Sequence, residues 1–135
     1  MKIIINGARV RDFRTFVAEV ERELSPSGTG SEYFGFDLHS FGDCLQGGYL
    51  GTPPYEIIVE HAAAMIEAMD HRGLVLYCEE MLNVIDKGGR GLVQEDSRRW
   101  YEITRDAAVA KSGPTLLQFL IDVIDAAPAK LTLLD

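Results

Sequence analysis

The apolar positions of this chain alternate between short β-branched runs and longer stretches with helical spacing. Lys2-Ile3-Ile4-Ile5-Asn6-Gly7 is a run closed by Asn-Gly, which predicts a buried strand running into a turn. From Asp12, a good N-cap, Phe13, Phe16, Val17, Val20 and Leu24 fall on one helical face, with Glu19, Glu21, Arg22 and Glu23 polar. Ser25-Pro26-Ser27-Gly28-Thr29-Gly30-Ser31 then breaks this amphipathic surface helix with a flexible loop. Asp37 can cap a short helix in which Leu38, Phe41 and Leu45 point inward. His39, Gly42, Asp43 and Gln46 are thereby expected to share its outward face. Gly47-Gly48 ends that helix, and Thr52-Pro53-Pro54 leads into a second strand, Tyr55-Glu56-Ile57-Ile58-Val59-Glu60.

Ala62 to Met69 is helix-like. The next helix is clearer, with Leu74, Tyr77, Cys78, Met81, Leu82 and Ile85 on one stripe. Gly88-Gly89-Arg90-Gly91 closes it and reads as a plain connector, because no Lys-Ser/Thr follows as a phosphate loop would require. Residues 92 to 111 read as a loop plus a weak helix that holds Trp100 and Tyr101 among charges. From Thr115 to Ala126 the polar residues Gln118, Asp122 and Asp125 form one narrow stripe, so this helix is expected to be packed on most sides. After Pro128, Lys130-Leu131-Thr132-Leu133-Leu134 makes a closing strand. Strands separated by helices imply an α/β layer with a small, mainly parallel sheet of about three strands.

A chain of 135 residues that is 47% hydrophobic fits one domain over 1–135. At this size roughly two-thirds of the surface of the unfolded chain is buried on folding. Cys44 and Cys78 both lie in apolar helical patterns without metal-ligand spacing, so they are expected to be reduced and buried, which favours a cytoplasmic protein. The N-terminus is far too short for a signal-peptide apolar region and no run approaches the ~20 apolar residues of a membrane span, so no membrane association is expected and the chain is read as the mature protein. A net charge of −8, from 21 acids against 13 bases, argues against nucleic acid as a direct ligand and would attract a basic partner.

The candidate chemistry is sparse. His39 and Asp43 stand four apart and could be an acid/base or metal pair, but a third ligand at matching spacing is missing. Cys44 has no positioned histidine nearby in sequence, which leaves packing as its role. His61 and His71 carry no pattern around them. No nucleophilic triad or usable carboxylate pair can be assembled, so no enzyme activity, metal or cofactor is expected.

One constellation is specific. Ile5-Asn6-Gly7 after the first strand, then Glu32-Tyr33-Phe34-Gly35-Phe36-Asp37-Leu38 running into Phe41-Gly42-Asp43-Cys44-Leu45, resembles the barstar family, intracellular inhibitors of bacterial ribonucleases. The late apolar helix beginning Leu116-Leu117-Gln118 and the short terminal strand resemble the family's ending. The resemblance covers the first 60 residues and the last 23, and it implies a barstar-like fold with an extra helical insertion at about 70–111.

The resemblance further implies inhibition by a short helix and its preceding turn, pressed into a nuclease active site where acidic side chains take the places of RNA phosphates. Asp43 matches the family's principal aspartate, Tyr33 an aromatic residue that touches the enzyme, and Asp122 an acidic contact on the late helix, which a shift of one turn would move to Asp125. Of Tyr33 and Phe34, one is expected inward and one outward, with the Tyr33 hydroxyl facing water or a partner. The surface so implied comprises Tyr33, Phe34, Asp37, His39, Gly42, Asp43, Gln46, Tyr49, Asp122 and Asp125. Three departures stand out: His39 replaces a second acid, Gly42 replaces an interfacial tryptophan, and Gly48 replaces a further aromatic for which Tyr49 could serve. The expected partner is a basic ribonuclease or nuclease toxin. The founding pair of this family is itself the reference case for electrostatic steering, which would make association fast and salt-sensitive. A competing reading is a non-inhibitory interaction module that turns Tyr77, Met81 and Ile85, or the segment near Trp100, toward another partner or a second copy.

Overall fold

In the computed structural model, which describes residues 1–24, 37–47, 53–88 and 97–135, three parallel strands form one sheet in the order β1-β2-β3. Strand β1 (Lys2–Asn6) pairs with β2 (Tyr55–Glu60), and β2 with β3 (Ala129–Leu133), so that Ile3, Ile57 and Leu131 lie in one row. Between β1 and β2 run a 3-10 turn (Gly7–Arg9) and helices α1 (Phe13–Leu24) and α2 (Leu38–Gly47). Between β2 and β3 run α3 (Ala63–Ala68), α4 (His71–Asp86), α5 (Arg98–Val109) and α6 (Leu116–Asp125). This is the expected α/β arrangement, with helices supplying the crossovers that parallel strands require.

Side chains alternate along β1, and only one face of the sheet is fully covered. Ile3, Ile5, Ile57 and Val59 are buried, whereas Ile4 is 46% exposed, so β1 is half buried where the β-branched run had suggested full burial. The outer face carries Lys2, Glu56 and Lys130 in register, a row of alternating charge that suits a surface facing water. Gly7 leaves β1 at a close approach: a Cβ there would lie 2.7 Å from the His61 carbonyl oxygen. Only glycine fits without moving backbone.

Helix α1 seats Phe13, Phe16, Val17 and Val20 in the core as its spacing dictates. Glu19, assigned to the polar face, is buried as well, and it accepts a hydrogen bond at 3.1 Å from Arg22 one turn on. In α4 the whole stripe Leu74, Tyr77, Cys78, Met81, Leu82 and Ile85 is buried in the chain's own core. That corrects the part of the competing reading that turned Tyr77, Met81 and Ile85 toward a partner. The segment 98–109, expected as a weak helix, is a regular helix that packs along α4 through Tyr101 and Ala108.

Helix α6 begins with a capping box in which Thr115 accepts from the Gln118 N–H while the Gln118 side chain accepts from the Thr115 N–H. Leu116, Leu120 and Ile124 are buried, and Leu117, Phe119 and Val123 are partly so. His71, given no role from sequence, ties the start of α4 to the loop before α6 through a hydrogen bond of 2.9 Å between its Nε2 and the Gly113 carbonyl. The buried side chains form one cluster running from Ile3 to Ile124. Among the described residues no helix is long and apolar enough to cross a membrane.

Candidate functional site

Helix α2 is fixed from both its inner face and its N-terminus. Phe41 sits edge-to-face on Phe13 and Phe16, with centroids 6.2 and 5.8 Å apart, and Leu38, Cys44 and Leu45 complete the buried face. At the N-terminus the Asp37 carboxylate accepts from the Ser40 N–H at 2.7 Å, and the Ser40 hydroxyl oxygen accepts from the Asp37 N–H at 2.9 Å. This reciprocal cap is built from Asp and Ser in place of the usual Ser/Thr and Glu/Gln.

A third contact comes from the far side of the sequence. The Leu38 N–H donates to the Tyr77 hydroxyl at 2.9 Å, and Tyr77 is in turn hydrogen-bonded to the Tyr101 hydroxyl. Burial, reinforced by the neighbouring Tyr101, holds the Tyr77 hydroxyl well above its ordinary titration range. Burial and the nearby Asp37 carboxylate push Tyr101 up to about 12. Both phenols therefore stay neutral at physiological pH and act as hydrogen-bonding groups. Helices α4 and α5 thus hold the first turn of α2.

What α2 then presents is small and polar. His39, Asp43 and Gln46 are exposed, and His39 Nε2 lies 3.3 Å from Asp43 Oδ2, as side chains four apart on a helix should. Gly42, expected on this outward face, is buried instead, because α6 crosses α2 there: a Cβ at Gly42 would meet the Val123 methyl at 3.0 Å. The missing side chain is what permits the close crossing. Asp37 is also buried, at 4% exposure, and its carboxylate is committed to the cap.

On α6, Asp122 and Asp125 are both exposed. Asp122 precedes the Val123 that touches Gly42, and Asp43 follows Gly42, so one carboxylate from each helix adjoins the crossing. Tyr33, Phe34 and Tyr49 lie outside the described residues, as do Gly48 and most of the Gly88–Gly91 connector. Among the described residues no group of three or more His, Cys, Asp and Glu side chains is placed to hold a metal ion. Cys44 and Cys78 are buried thiols, and burial raises Cys78 to about 12, which makes its thiolate inaccessible under ordinary conditions.

Sequence reasoning missed the Tyr77 contact, since it joins residues 39 positions apart. It offered the segment near Trp100 as a partner-facing surface but did not place that ring beside His39. The available signal was an aromatic residue in a strongly charged helix.

Comparison with protein families matches residues 1–92 to the family described as Barstar (barnase inhibitor). The matched span takes in β1, α1, α2, β2, α3 and α4, and therefore enters the segment read from sequence as an insertion. Helices α5 and α6 and strand β3 lie beyond it. Comparison with curated proteins gives no match.

Proposed function

The chain belongs to the barstar family, and on that premise we propose that it inhibits a basic bacterial ribonuclease or nuclease toxin by placing α2, with the turn before it, in the enzyme's active site. The observation that carries this reading is Asp43, an exposed carboxylate on a helix whose inner face, N-cap and first N–H are all tied to the rest of the molecule. A ribonuclease site gathers Arg, Lys and His to hold phosphate. Arginine pairs with carboxylate in the same bidentate manner, so a fixed aspartate imitates the substrate and offers no bond to cleave. Rigidity matters because a helix already ordered does not lose that conformational entropy on binding.

In this reading the protein acts in the cytoplasm as an immunity factor, binds one to one, and touches no nucleic acid itself. Asp122 and Asp125 add negative charge beside Asp43, and the net charge of −8 speeds encounter with a basic enzyme. Family members are inhibitors, and no catalytic role is assigned to any residue.

The test is titration against a panel of basic, guanyl-preferring microbial ribonucleases, following binding heat and RNA cleavage with wild type and Asp43→Ala. Stoichiometric inhibition that weakens by about 2 kcal/mol or more in the variant supports the reading. Wild-type inhibition that Asp43→Ala leaves untouched sinks the assigned role of the carboxylate, and absence of binding across the panel counts against this class of target.

A further inference from the structure

Helix α2 presents no large side chain among its exposed residues, which are His39, Asp43 and Gln46. Tight interfaces nevertheless anchor on large side chains, Trp, Tyr and Arg above all. Trp100 on α5 is 45% exposed and is the one exposed aromatic ring among the described residues. It stands on the wall of a groove of about 310 Å³ between α2, α5 and α6, whose other sides include Leu38, His39, Phe119 and Val123.

We propose that this groove receives an arginine side chain of a basic partner protein, its stem along Leu38 and Val123 and its guanidinium stacked on Trp100 near Asp43. The inference rests on the inhibitor reading for the identity of the partner, but the groove's chemistry is independent of it. The indole is held by two edge-to-face contacts, to Phe119 at 5.6 Å and to Tyr101 at 5.1 Å, so little side-chain freedom remains to be lost on binding. The groove connects to the acidic face through His39, which lines it and whose Nε2 lies 3.3 Å from Asp43 Oδ2.

Sign and shape together select the occupant. An aliphatic or aromatic side chain would use the apolar walls and ignore the carboxylate. Lysine would pair with the carboxylate, but its compact, strongly hydrated ammonium stacks poorly on a ring. Arginine has an apolar stem, a flat and weakly hydrated cation that stacks on tryptophan, and a donor fork for carboxylate. The net charge of −8 favours a cationic visitor over a neutral one.

Trp100 is the only tryptophan in the sequence, so its emission reports the groove directly. The intact protein is titrated with octa-arginine and with octa-lysine at one ionic strength, by emission and calorimetry, alongside Asp43→Asn, and alongside Trp100→Leu by calorimetry alone. Octa-arginine is expected to bind at least about fivefold more tightly than octa-lysine and to shift the emission, with the preference lost in both variants. Equal binding of the two peptides, or a preference that survives Trp100→Leu, overturns the proposal. Thermal melts verify that Trp100→Leu is folded; if it is not, Asp43→Asn carries the test alone, and a preference that survives it overturns the proposal. The two proposals fail separately. A nuclease complex sensitive to Asp43→Ala but not to Trp100→Leu removes the groove and keeps the inhibitor, while an arginine preference without inhibition of any nuclease does the reverse.

Discussion

The Tyr77 hydroxyl accepts the backbone N–H of Leu38 at 2.9 Å, joining α4 to the first turn of α2 across 39 positions of sequence. That N–H is one of the four at a helix start that have no partner within the helix. Removing the hydroxyl leaves it buried and unsatisfied, so Tyr77→Phe is expected to cost about 1–3 kcal/mol in chemical denaturation. Hydrogen exchange should localise the effect, with the Leu38 amide losing protection before the amides of β2. Unchanged protection at Leu38 would show that the contact contributes nothing in solution.

At the α2–α6 crossing, two effects of similar size oppose each other. Alanine at Gly42 gains about 1 kcal/mol of helix propensity, but its Cβ would press on the Val123 methyl at 3.0 Å. Val123 is only half buried and can yield by the few tenths of an ångström required. Gly42→Ala is therefore expected to change stability by less than about 1 kcal/mol, whereas Gly42→Trp must part the helices and should cost about 3 kcal/mol. Thermal melts of the two variants check this ordering. A well-tolerated tryptophan would mean that α6 is not held at this distance.

Alkaline pH should unfold the protein through its buried acids. Burial raises Cys78 from 9.0 to about 12, and Tyr77 and Tyr101 are raised likewise, so the folded state keeps protons that the unfolded chain releases. For groups whose folded pKa is raised, the stabilisation is complete below the unfolded value and is lost as pH climbs toward the folded one. Stability should be flat up to about pH 9 and fall steadily above it. Denaturation midpoints between pH 8 and 11 measure this, and Cys78→Ala should remove the earliest part of the decline. The same burial predicts that a thiol reagent at pH 8 labels neither Cys44 nor Cys78 until the chain unfolds.

The elements were legible where one periodicity governed the residues. The β-branched runs located β2 to the residue and β1 to within one, and the apolar stripe of α4 matched its buried face in every position. Residues whose environment is set by a distant element were not legible. Gly42 reads as outward when α2 is taken alone, because the period places it beside His39 and Asp43; Val123 of α6, 81 positions later, covers it. Glu19 has the same history, being polar by type but buried by its neighbours with Arg22 in reach. For the candidate site, Asp43 and His39 could be placed from spacing, while the groove beside Trp100 required α5 and α6 to be in place first.

The role of Asp37 separates support from contact. Its carboxylate is buried and accepts the Ser40 N–H, so its expected contribution to binding acts through the order of α2 and not through touching a partner. Asparagine caps helices about as well as aspartate, whereas alanine removes the acceptor at a cost of about 0.5–2 kcal/mol. Asp37→Asn should therefore keep stability and nuclease binding close to wild type, and Asp37→Ala should lower both. Loss of a partner contact would produce a different pattern, in which Asp37→Asn weakens binding as much as Asp37→Ala while the melting temperature stays put. Calorimetric titration of the two variants, each paired with its own thermal melt, distinguishes these patterns, and a melt unchanged in Asp37→Ala would refute the capping role.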